Sequence, residues 1–488
     1  MFKMPPSTLK VVLYVTTVLF LLGDIVHSFR QHMQMAIDGD MGMNVMQIDG
    51  IDKILKDPFA VGVLIDHDVY PNPNRFFSNW SNATYCWNAP LLLQHFTDPI
   101  TSVYLSQAIL KTCIQLALIL LLAAFINPFA KIWQAEFLLP ALLVTPFFQT
   151  FGFNRQMGII DQATTYDFFY ALPLVFLLLF FLPLYKSLLR GNEKSLGFVS
   201  MLFLTFCAFL ITFSSPLHLG IIPVVIIAIF TWLLAREMKS GARIYSVWKN
   251  VPKKIFVLLA LLGTLCAYSH LINSLSGTVA EDIPSLGYRY SVLPAGFWKI
   301  FTMNPGLAWL TGLVILNMLL IKKCVKNDDG KRILKVSRWV CICAICYLLL
   351  LPLGGYRAYR SDIIRYDTFM PVTVALVWLF GLSAYQLILS LHNRNRYIYY
   401  AVIIYSLVFF TQIDKMGDSG WECDKSQLQF IANSADRIVR LPDACPVMSW
   451  ETITDPQLST HNADLIFHWN ITTEKKLYYY PAGTRPID

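Results

Sequence analysis

The sequence predicts an all-α polytopic membrane protein of about eleven transmembrane helices, with a small α/β extracytoplasmic domain at its C-terminus. Three observations carry that prediction. Of 488 residues, 56% are hydrophobic and 14% charged, well below the roughly 25% charged share of a soluble domain. The mean hydropathy is +0.51. Apolar runs of about 18 or more residues recur along the chain, the length at which a helix crosses a bilayer.

The first run, 11–29, has no small-residue cleavage site behind it and reads as a retained anchor rather than a signal peptide. The remaining runs fall at 102–125, 132–150, 167–186, 196–213, 217–235, 255–275, 305–322, 337–353, 372–391 and 397–414. Cations crowd alternate connections: Lys186, Arg190 and Lys194, then Arg236 to Lys254, Lys322 to Lys335, and Arg394 and Arg396. That bias sets the N-terminus in the cytoplasm and the C-terminus outside. It also accounts for the formal charge of +8 without a nucleic-acid partner, since no compact basic domain is present. Ionisable residues within the spans are sparse, which disfavours ion-coupled transport.

Two regions lie outside the spans. The first outer loop, 30–101, is far longer than an ordinary connection, and loops of that length usually carry function or structure of their own. Val45, Met46, Ile48, Ile51, Ile54 and Leu55 recur in it at helical spacing, so a short interfacial helix is expected, ending at Asp57 before Pro58. Phe76, Phe77, Trp80, Tyr85 and Trp87 suit an interfacial aromatic belt. Residues 1–414 form the membrane domain and 415–488 a polar tail. In the tail an amphipathic helix is expected over 428–439, and strands at 465–469 and 477–480. About 70 residues make a weak core, so a Cys423–Cys445 disulfide would help if this face is oxidising. Asn79, Asn82 and Asn470 match the glycosylation sequon.

The candidate chemistry starts at Ile37-Asp38-Gly39-Asp40. A carboxylate beside the membrane can take a proton from a hydroxyl, and a close pair can hold a divalent cation, the candidate cofactor. The competing account is a polar helix end with Asp–Gly turn chemistry. Arg357, Arg360 and Arg365 lie in the fifth outer loop, against the charge bias. Guanidinium groups match phosphate oxygens with paired hydrogen bonds, or else pair with Asp362, Asp367 or lipid headgroups. Asp66, His67, Asp68 and His95 are candidate substrate or metal contacts in the first loop.

A first span ending in an acidic loop motif, a long first outer loop and about eleven spans resemble the GT-C integral-membrane glycosyltransferases. Ile37-Asp38-Gly39-Asp40 is similar to their first-loop acidic motif, and the 95–99 stretch and the arginine loop add to the likeness. The resemblance covers the first hundred residues and the topology. It implies transfer of a sugar from a polyprenyl-phosphate-linked donor, on the outer face, to a glycan, lipid or protein acceptor. Asp38 or Asp40 would then be the base, and the arginines would hold the donor phosphate. A transporter, flippase or polymerase of lipid-linked glycans, or a non-catalytic envelope assembly protein, are the alternatives.

Overall fold

The computed structural model describes residues 6–48, 50–148, 158–190, 196–239, 253–276, 284–303, 305–354, 356, 362–413, 420–442 and 445–481. Helices dominate. The first, α1 (Pro6–Met33), leads into three short loop helices, α2 (Met41–Val45), α3 (Ile51–Lys56) and α4 (Val61–Ile65). Then come α5 (Phe76–Leu93), α6 (Pro99–Ile126) and α7 (Ala135–Val144). The next, α8 (Thr164–Arg190), opens with a π-helical turn over Asp167–Ala171. The bundle continues through α9 (Phe198–Thr212), α10 (Pro216–Lys239), α11 (Lys253–Leu275), α12 (Leu286–Ser291) and α13 (Leu293–Thr302). It closes with α14 (Gly306–Cys324), α15 (Asp328–Leu350), α16 (Tyr366–Ser390) and α17 (Asn393–Ile413). The tail holds α18 (Trp421–Asn433), β1 (Ile438–Arg440), α19 (Thr460–His468) and β2 (Leu477–Tyr479).

Among the described residues, eight helices are long and apolar enough to cross a membrane: α1, α6, α8, α10, α11, α14, α15 and α16. The chain is a multi-span membrane protein. Two more of the expected runs form shorter apolar helices, Ala135–Phe148 and Phe198–Thr212, and the last becomes α17. The α6 helix is the hub, packing on α1, α5, α7, α8 and α16. Its start is fixed locally: Asp98 accepts a hydrogen bond from the Thr101 amide at 3.0 Å, and Pro99 occupies the first helical position.

The first loop departs from its expected single interfacial helix. Gln47 (φ 59°) and Gly50 (φ +83°) break the apolar run into α2 and α3, while the stop at Asp57 falls where expected. The aromatic stretch forms the body of α5, an 18-residue helix that leaves Trp80 and Trp87 exposed. It buries Asn79 and Asn82, so two of the three sequons sit inside the fold.

The tail also differs in part. Leu465–Trp469 was expected as a strand, yet Leu465, Ile466 and Trp469 are buried at helical spacing, with 465–468 in α19. The strand that pairs with Leu477–Tyr479 is instead Ile438–Arg440, in parallel register from Ile438 opposite Leu477. Cys423 and Cys445 are joined as a disulfide. The tail shares a core with the first loop and the span ends beneath it. Ile37, Met41, Val45, Cys86 and Tyr104 pack in one cluster with Leu428, Val439, Leu465, Trp469 and Tyr478.

Candidate functional site

The acidic motif sits where the first loop, the start of α8 and the tail meet. Gly39 is the residue that permits the meeting. A Cβ there would lie 2.5 Å from the Trp450 backbone nitrogen, so only glycine lets the tail backbone come this close. Gly42 likewise faces Asn462, whose side chain occupies the space of a missing Cβ.

The two carboxylates of the motif have different surroundings. Asp38 is 5% exposed. Its Oδ2 accepts from the Thr165 amide at 3.0 Å, and its Oδ1 accepts from the Thr165 hydroxyl at 2.9 Å and the Asp40 amide at 3.1 Å. Burial raises its pKa, against the lowering effect of the two Thr165 bonds. Asp38 therefore pins α8 to the first loop. Asp40 is half-exposed. It precedes α2 without its side chain capping the helix, and its Oδ1 accepts from the indole N–H of Trp450 at 2.9 Å. Trp450 is 55% exposed and stacks on Tyr166, with ring centroids 6.0 Å apart and planes 26° from parallel. An accessible carboxylate beside a stacked aromatic pair can receive a proton from a hydroxyl held against the rings.

Beneath this surface lies a polar network that the sequence reading missed. Lys111 on α6 and Asp167 at the head of α8 form an ion pair of 2.7 Å in which both side chains are 0% exposed. Lys111 also donates to the backbone carbonyls of Asp161, at 2.5 Å, and Gln162, at 3.0 Å. All three ammonium protons thus find acceptors. Asp167 Oδ1 accepts from the Asp161 amide at 2.9 Å. Burial, with Asp167 beside it, pushes the Asp161 carboxyl up to about 6. Next to the pair, Thr164 donates to Gln107 at 2.7 Å. His32 Nε2 lies 3.1 Å from Gln115 Oε1, and Gln115 donates to Ser28 at 3.0 Å. Gln107 Nε2 and His32 Nδ1 are buried without a hydrogen-bond partner, a rare condition in a native interior. The π turn starts at Asp167, and such turns recur at functional sites. The usable signal in the sequence was the ionisable pair itself, Lys111 and Asp167, each inside an apolar run.

A second tie comes from the tail. Asp424, 1% exposed, accepts from the Ile37 amide at 3.1 Å and the Tyr104 hydroxyl at 2.7 Å. Burial pushes its carboxyl up to about 6, against those two bonds. Trp469 donates its indole N–H to the Cys86 carbonyl at 2.9 Å, and Trp87 stacks on His468 with centroids 3.4 Å apart.

The other predicted residues do not gather here. Asp66, His67 and Asp68 are exposed, and Asp68 accepts from Tyr70 at 3.4 Å. That turn belongs to a separate cluster packed on Phe213 and Ile272. His95 is exposed at the end of α5. Arg365 is engaged by Asp367 through two bonds of 3.0 Å, so its fork is spent on a neighbour two residues away. Arg357 and Arg360 lie outside the described residues. Among the described residues, no three His, Cys, Asp or Glu side chains converge to hold a metal ion. No protein-family model and no curated protein matches the chain.

Proposed function

We propose that the chain is an integral-membrane glycosyltransferase acting on the face that carries the first loop and the tail, the extracytoplasmic face. The donor is a polyprenyl-phosphate-linked sugar and the acceptor a hydroxyl on a glycan, lipid or protein. The supporting observation is the Asp40 carboxylate, accessible and held by Trp450 against a stacked aromatic pair, an arrangement suited to a sugar ring. Asp40 takes the proton from the acceptor hydroxyl, the oxygen attacks the anomeric carbon, and the carrier phosphate leaves with the bonding electron pair. Asp38 is a positioning residue, since its own oxygens are occupied by Thr165 and the Asp40 amide. Of the three arginines, Arg357 and Arg360 remain candidates for the donor phosphate on the sequence argument alone, because Arg365 is already paired.

Deletion of the gene in its host, complementation with wild type or Asp40→Asn at matched membrane levels, and mass spectrometry of surface glycans and lipid-linked sugars tests this. A sugar restored by wild type and not by Asp40→Asn supports transfer. Restoration by the variant removes the base and with it the proposal.

One observation favours a second reading, transport of a lipid-linked glycan. The buried Lys111–Asp167 pair and the unpartnered Gln107 and His32 atoms are ionisable and polar groups inside spans, where such groups mark translocation paths. Accumulation of a complete lipid-linked glycan after deletion, rather than of one lacking a sugar, identifies that case.

A further inference from the structure

A cleft of about 1020 Å³ opens between α6, α8, α10, α15 and α16. Its mouth lies at the end of the bundle away from Asp38, and its walls reach back to Leu174 and Pro371. Along α6, 16 residues separate Lys111 of the buried network from Asn127 in the cleft wall, a rise of ~24 Å against a hydrocarbon core of ~30 Å. Its walls are almost wholly apolar, with Leu178, Ile229 and Ala344 among them. On α16 the wall runs from Pro371 to Gln386, 15 residues or ~22 Å, longer than one leaflet's share of the core.

The mouth is basic. Lys331, Arg332 and Lys335 line it from the first turns of α15, together with Asp328 and Asp329. The Arg190 guanidinium lies 4.8 Å from the ring centroid of Phe129, another wall residue. Arg332 lies close enough to Tyr185 in the wall to interact with it electrostatically. The Lys331–Asp328 pair at 3.2 Å is strongly exposed and weakly held. Three lining cations against two lining carboxylates, with Arg190 beside Phe129, leave a net positive rim where an apolar slot meets the membrane surface.

We propose that this cleft binds one anionic phospholipid of the leaflet opposite the first loop, acyl chains in the slot and phosphate between Arg332 and Lys335. A basic pocket between spans is the known physical recipe for anionic headgroups. The slot is too apolar and too long for a soluble anion, and the positive rim selects against a zwitterionic lipid. The proposal goes beyond sugar transfer and does not rest on it.

The full chain, purified in detergent, is titrated with phosphatidylglycerol or phosphatidylethanolamine of identical acyl chains and followed by native mass spectrometry. Wild type is expected to retain phosphatidylglycerol roughly tenfold more strongly, and Arg332→Gln with Lys335→Gln to lose that preference while its melting temperature in lipid-free detergent is unchanged. Ala344→Phe narrows the slot without touching the charges and is expected to lower retention of both lipids. Equal retention of the two lipids by wild type, an undiminished preference in the double variant, or full retention by Ala344→Phe overturns the proposal.

Discussion

Trp450 donates its indole N–H to Asp40 across 410 positions of sequence, at 2.9 Å. The bond aims a half-exposed carboxylate toward the surface and is made by a side chain that is itself exposed, so it contributes little to stability. Asp40→Asn keeps a carbonyl acceptor for Trp450 and removes the basic oxygen. Sugar transfer in membranes is expected to fall ~10²–10⁴-fold with an unchanged melting temperature. Trp450→Phe keeps a ring on Tyr166 but frees the carboxylate, and a loss of about fivefold is expected, in line with one lost hydrogen bond of ~1 kcal/mol. Equal activity of Asp40→Asn and wild type in a lipid-linked-sugar assay contradicts the assignment.

Asp38 predicts the opposite pattern. Asp38→Ala leaves the buried Thr165 amide and hydroxyl without their acceptor, a cost of ~2–3 kcal/mol. Thr165→Val removes only the hydroxyl and is expected to cost about half as much. Both variants are expected to lower the melting temperature in detergent, which Asp40→Asn does not. Activity lost at Asp38 without any change in melting would make it a direct participant.

The carboxyls of Asp38, Asp161 and Asp424 are raised above their ordinary value of 3.8, the last two to about 6. A raised carboxyl favours the folded state while it is protonated, below the unfolded value, and loses that advantage as pH rises through the folded value. The stabilising contribution therefore fades between about pH 4 and 6 and is gone at neutrality. Melting temperature is expected to be higher at pH 5.5 than at pH 7.5. Asp424→Asn removes the buried charge and is expected to flatten that difference. A wild-type melting temperature that climbs steadily from pH 5.5 to 7.5 would refute the sign.

Helix placement was readable in the chain because apolar length is a local property, and the runs at 102–125 and 255–275 lie inside α6 and α11. The break at Gln47 and Gly50 was not, since helical spacing continues across it and only the positive φ values separate α2 from α3. The 465–469 segment was misjudged for a related reason: five mostly apolar residues fit either a strand or a helix, and packing of Trp469 beneath α5 decided it. The Asp-Gly-Asp motif was visible, but the roles of its members were not. What separates them is the approach of Thr165 to one and Trp450 to the other, contacts that spacing does not encode. The Lys111–Asp167 pair could have been suspected, because an ionisable residue in each of two spans is costly unless they meet.

That pair gives the last prediction. With both side chains 0% exposed and every Lys111 donor matched, removing one partner strands a buried charge. Lys111→Met alone is expected to destabilise by ~3–5 kcal/mol, whereas Lys111→Met with Asp167→Leu removes both charges and recovers most of the loss. The recovery is incomplete, because the Asp161 and Gln162 carbonyls lose Lys111 in either case, and the Asp161 amide also loses Asp167 in the double variant. Melting temperatures of the two single variants and the double variant complete the cycle. Function then separates from structure: a double variant that folds and still transfers sugar marks the pair as a brace for the head of α8. One that folds but leaves a complete lipid-linked glycan stranded assigns the pair to a translocation path, because only that reading needs a charge inside the membrane once the helices are correctly packed.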